Sequence, residues 1–140
     1  MALPAWRLDA TRFPLVVTYV VDGDGRSMPS LQSVTRALDK LNTLRGKKVI
    51  VVDLSESRPD AARRRLFVDW TKTHWASLRD DLLGVSCVVP SDFQRATLTG
   101  ILWFVEPTCP IETFETRDAA LAWAVQRLQE LGLHVPAPSQ

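Results

Sequence analysis

Lys47-Lys48-Val49-Ile50-Val51-Val52-Asp53-Leu54-Ser55 is the stretch that decides the fold of this chain. Its centre is four consecutive β-branched residues, preceded by Gly46 and too short a run for a helix. It reads as a strand buried on both faces. A strand of that kind implies helices covering a parallel or mixed sheet. In such sheets recognition and chemistry gather at the carboxyl ends of the strands, which here means Asp53 and Ser55.

Upstream, residues 13–21 predict a strand and residues 6–9 a shorter one before it. Asp22-Gly23-Asp24-Gly25 then has turn chemistry. An EF-hand loop would need an oxygen ligand where Arg26 stands, a glycine at Ser27 and a glutamate at Ser33, so the calcium reading fails. Leu31, Val34, Leu38 and Leu41 fall at helical spacing and predict a helix over 29–44, opened by Pro29 and stopped by Gly46.

Downstream of the central strand, residues 60–80 predict a second helix carrying Trp70 and Trp75, and 82–89 a further buried strand. Ser91-Asp92-Phe93-Gln94 has capping-box spacing and predicts a third helix reaching about residue 105. Gly100 within that stretch suits a strand equally well, which leaves 98–105 open between the two. Pro107 and Pro110 precede a short strand over 111–114. A last helix over 117–131 is capped by Thr116 and stopped by Gly132, with Leu121, Val125 and Leu128 on its inner face. Strands and helices alternating in this way predict an α/β layer fold with right-handed crossovers.

The 140 residues fit one domain, residues 1–135, followed by a flexible tail over 136–140. A net charge of +1, from 17 basic and 16 acidic residues, sets up no global field towards nucleic acid or an anionic membrane. Nor do aromatic and basic residues interleave on any strand as single-strand readers require. The longest nearly uncharged stretch, residues 96–105, is about half a membrane span. Two cysteines are too few for a disulfide framework and favour a reducing cytoplasm. No P-loop, G-x-G-x-x-G or G-x-S-x-G is present, and with two histidines no metal site or cofactor is expected.

Several residues nevertheless stand out. On a helical wheel Arg63, Phe67, Trp70, His74 and Leu78 share one face of the second helix, so His74 reads as a core histidine satisfied by a backbone carbonyl. Val68 and Trp75 stack beside that stripe and Leu66 extends it. The apolar arc is then roughly 200° wide, more than the ~100° that packing on one sheet needs. The third helix is apolar nearly all round, through Phe93, Leu98, Leu102 and Phe104. Arg63, Arg64 and Arg65, with Arg58 behind them, form the densest basic patch. Cations in a first turn oppose the helix dipole, so either an anion or local pairing with Asp60 and Asp69 accounts for them. Arg95 lies near the start of the third helix, where free N–H groups suit an anion.

The runs Val51-Val52-Asp53-Leu54-Ser55, Arg95-Ala96-Thr97-Leu98-Thr99-Gly100-Ile101-Leu102-Trp103 and Ala119-Ala120-Leu121-Ala122-Trp123, with the arginine triplet and Leu83-Gly84-Val85, resemble a bacterial family. That family is grouped with STAS-like (anti-sigma-factor-antagonist-like) or CRAL-TRIO-like domains, and the resemblance covers residues 8–131. It implies a small mixed sheet of about five strands covered by about four helices. It also implies a non-enzymatic regulatory module acting through protein contacts, with itself as a homodimer or with a signalling partner. The chain departs from STAS regulators where their acceptor serine opens a helix in Asp-Ser-Ser-Gly: Ala61, Ala62, Arg63 and Arg64 stand there. On this reading Val68, Trp75, Leu98 and Leu102 are the expected partner-binding residues. The alternative, from the CRAL-TRIO-like grouping, is a small amphipathic or anionic ligand held by Arg63, Arg64, Arg95 and Ser55.

Overall fold

The computed structural model describes residues 4–23, 28–56, 60–102 and 109–138. Nine elements follow one another among them: β1 (Ala5–Arg12), β2 (Leu15–Val21), α1 (Leu31–Thr43), β3 (Lys48–Asp53), α2 (Ala61–Leu78), β4 (Leu82–Val88), α3 (Asp92–Leu102), β5 (Ile111–Phe114) and α4 (Arg117–Glu130). They form a small mixed five-stranded sheet packed against four helices, an α/β fold. Thr116 caps α4 as the sequence predicts, whereas α1 is capped by Ser30, so Pro29 lies before its first turn and does not open it. Ser30, Asp60 and Thr116 each accept the N–H three residues on, at the starts of α1, α2 and α4. Positive φ at Gly46 and Gly132 lets the chain leave α1 and α4. Residues 13 and 14 stand in the turn before β2, because β1 runs on to Arg12 and pairs back tightly. Residues 92–102 are helical, and residues 103–105 of the open stretch lie outside the described residues.

The strand order is β1-β2-β3-β4-β5, with β1 antiparallel to β2 and the other neighbours parallel. β3 is central, and all but Val52 of its residues are buried, as a double-sided strand requires. The order never reverses. Three same-handed crossovers stepping one way across a sheet must lay their helices on one face. The core clusters agree. Leu8, Val16, Ile50 and Leu82 pack with Leu41 and Leu44 at the end of α1 and with Trp75 of α2. On the same face Cys87 and Val89 pack with Leu98 of α3.

Among the described residues the opposite face is covered by α4 and the segment that follows it. Leu15, Val49, Val51 and Val88 meet Ala120, Ala124 and Leu128, with Leu133 and Val135 of the following segment beside them. Leu128 lies at the centre of the inner face, as the sequence predicts, while Leu121 and Val125 flank it half-buried. The remaining central positions are the small Ala120 and Ala124, which let the helix axis come close to the sheet. Ser86 Oγ donates to the Ala120 carbonyl at 3.1 Å across that contact. Gly84 sits beneath Trp123, whose ring would lie 2.9 Å from any Cβ added there.

Past α4 the chain is held as far as Pro136, whose carbonyl accepts from Arg12 Nε at 2.9 Å.

Candidate functional site

All four helices start at the carboxyl end of the parallel strands, so the polar groups of that edge are assembled from distant parts of the sequence. Asp53 ends β3, 5% exposed. Its Oδ1 accepts from the Ser55 N–H at 2.9 Å and the Ser55 hydroxyl at 2.5 Å. Its Oδ2 accepts from Arg117 Nε at 2.7 Å. Burial pushes the carboxyl pKa up, but the two Ser55 donors and the Arg117 guanidinium outweigh it and hold it below the ordinary aspartate value. Arg117 stands in the first turn of α4 and also lies over the ring of Tyr19, 4.8 Å from its centroid. From α3, Gln94 reaches the strand exit on the other side, donating to the carbonyls of Leu54 at 2.7 Å and Ser55 at 3.3 Å. The edge is therefore a closed polar lattice, with each group held by another.

The arginine triplet is largely spent on structure. Arg63 donates through Nη1 to Asp60 at 2.6 Å and through Nε to the Pro29 carbonyl at 2.7 Å, tying α2 to the entry of α1. Arg64 is half-buried and not free. Arg65 pairs loosely with Asp69 at 3.8 Å, and Arg95 with Asp92 at 3.7 Å. Arg58 and Ser57 lie outside the described residues. Arg63, Arg64, Arg95 and Ser55 thus belong to one rim of the molecule, but none of the three arginines is free.

The proposed anchors are distributed differently. Leu98 is 8% exposed, in the core with Cys87 and Val89, where a docking protein cannot reach it. Trp75 is half-buried and packs on the sheet. Val68 is half-buried on α2. Leu102 closes α3, and its side chain lies outside the described residues, as do those of Phe93 and Thr97. The wide apolar arc of α2 is absorbed by α1 as well as by the sheet: Trp70 is buried, with its Nε1 donating to Asp39 of α1 at 3.3 Å. Among the described residues the exposed large apolar side chains are Leu31 and Leu131, at the start of α1 and just past the end of α4. His74 has the expected backbone partner, the Trp70 carbonyl, 2.9 Å from Nδ1, and its ring stacks on Trp70 at 4.5 Å. Facing only an acceptor, that nitrogen carries the proton.

Three participants escape a reading of the sequence. Arg117 had one signal, a cation placed directly after an N-cap, where the dipole disfavours it. Tyr19 and Gln94 had none beyond their positions in a strand and a capping box. At the opposite edge Lys48 is 1% exposed, with Nζ 3.3 Å from the Leu44 carbonyl and 3.2 Å from that of Gly46, closing the end of α1. Burial lowers its pKa, and Asp81 offsets only part of that.

Among the described residues no three His, Cys, Asp or Glu side chains gather as a metal site, and no helix is long and apolar enough to cross a membrane. Compared with known proteins, the chain matches no family model, no curated protein and no solved structure.

Proposed function

We propose that this chain is a non-enzymatic module that works by binding another protein, as its resemblance to STAS-like regulators implies, and that the contact is made on the α4 side of the sheet. The observation that carries this reading is the unequal cover of the two faces. Three helices share one face. On the other, a single helix about 10 Å across lies on five strands spaced about 4.8 Å apart.

α4 packs chiefly over β3 and β4, and Leu133 and Val135 extend the cover towards Leu15 and Val17. Cross-strand pairing puts Ala5 with Val21 and Arg7 with Tyr19 on this same side. α4 reaches this part of the sheet through Arg117, which lies over Tyr19. The result is a half-buried shelf of Ala5, Tyr19 and Val21, rimmed by the exposed guanidiniums of Arg7 and Arg117. Apolar floor and cationic rim together suit a partner segment that is apolar on one side and acidic at its flanks. The polar lattice around Asp53 then serves to hold Arg117 in place over Tyr19.

Affinity capture from native lysate with three forms of the protein tests this. A partner held on the shelf is captured by wild type and by Val68→Glu, and lost with Arg7→Glu. The reverse pattern moves the contact to α2. Captured proteins indifferent to both substitutions remove the reading. A dimer seen by light scattering and abolished by Arg7→Glu makes the occupant a second copy instead.

A further inference from the structure

At the amino end of β4, on the edge of the sheet opposite Asp53, an open cavity of about 460 Å³ lies between the last turns of α2 and α4. Leu82, Leu83, Cys109 and Pro110 line it together with Arg79, Arg127 and the carboxylate of Asp80. The negative helix ends of α2 and α4 account for a cation at each. They do not account for the volume left between the two.

Arg127 is fixed by its Nε, which donates to the Leu83 carbonyl at 3.1 Å, and its Nη groups have no protein partner among the described residues. Among the described residues Arg79 pairs only with Asp80, at 3.8 Å, and that carboxylate is 85% exposed to water. Leu82 turns into the core on the α2 side and Leu83, half-buried, towards α4, so two guanidiniums with free donors beside Leu83 present what a carboxylate with a short apolar tail would use. We propose that this cavity is a binding site for a small amphipathic carboxylate, its head on Arg79 and Arg127 and its tail against Leu83. The site is separate from the protein-binding shelf and stands or falls independently of it.

Cys109 makes the proposal measurable. It is half-buried, whereas Cys87 is buried, so alkylation of the native protein by iodoacetamide, a neutral reagent, reports on the cavity. Arg127 and Cys109 line the same cavity, so a molecule held on Arg127 is expected to hinder access to the sulfur. Hexanoate is expected to slow Cys109 alkylation in a saturable way, while hexan-1-ol at equal concentration does not. Arg79→Gln, a surface change that leaves the fold intact, should raise the hexanoate concentration for half-protection about tenfold, the effect of losing one charge-assisted hydrogen bond. Arg127→Gln should do the same, read as the ratio of protected to unprotected rate because its own baseline shifts. Equal protection by the alcohol, no protection by hexanoate, or protection unchanged in both variants would each overturn the assignment.

Discussion

Asp53 carries most of the polar architecture at the carboxyl edge of the sheet, and its titration is correspondingly exposed to test. The folded-state pKa lies below the 3.8 of an unfolded aspartate. A carboxyl shifted in that direction contributes stability that is complete above pH 3.8 and is lost as the pH falls through the folded value. Asp53→Asn should therefore cost about 2 kcal/mol at pH 7, as expected when a charged acceptor of several hydrogen bonds is neutralised. In urea unfolding the gap between wild type and variant should shrink as the pH drops below 3.8. A gap that stays constant from neutral to acid pH would mean that Ser55 and Arg117 do not stabilise the ionised form. Lys48 has the same direction of pH dependence for a different reason, burial disfavouring its charged form. Its depressed pKa means the folded state disfavours the proton, so its contribution improves as pH rises through the folded value towards 10.5.

At the scale of elements, α1 has a task beyond covering the core. β1 is an edge strand, and an unpaired edge is a template for another chain. Ser33 Oγ accepts from the Trp6 N–H at 2.8 Å, and Lys40 Nζ donates to the Leu8 carbonyl at 3.1 Å, so two side chains of the helix occupy outward main-chain groups of that strand. A Ser33→Ala, Lys40→Met double variant should retain native circular dichroism yet form larger species in light scattering as concentration rises. If it stays monomeric at every concentration, the two side chains do not guard the edge.

The strands were readable because β-branched runs between glycine and proline punctuation have few other solutions, and the cap of α4 because Thr116 sits where the backbone needs an acceptor. The inner face of α4 was only half readable. Periodicity favours large residues such as Leu121 and Val125, whereas close approach to the sheet selects Ala120 and Ala124. The surplus apolar arc of α2 was real in the sequence, but a helical wheel cannot say which neighbour covers it, and α1 does. At the site, Asp53 and Ser55 were legible as neighbours on one strand exit. Arg117 joins them from 64 residues away, a distance that only the strand order closes.

For the whole molecule, monotonic strand order has an energetic consequence. β3 lies in the middle of the sheet with helices above and below, and α4 presses three fully buried residues onto it and β4. α1 covers the rim and has no fully buried residue, for all its amphipathic sequence. Apolar burial is the main favourable term in folding, so the free energy of local opening should follow that gradient. Native-state hydrogen exchange should find the amides of β3 and β4 released only by global unfolding, with those of α1 exchanging through a cheaper, local event. Denaturant should accelerate the first group steeply and the second hardly at all, because little surface is uncovered when a rim helix lifts. Equal protection in α1 and β3 would show that the sheet and its rim helix unfold as one unit. If the gradient holds, opening of α1 is also the event that bares β1, and the same low-cost fluctuation sets how often the edge strand is offered to another chain.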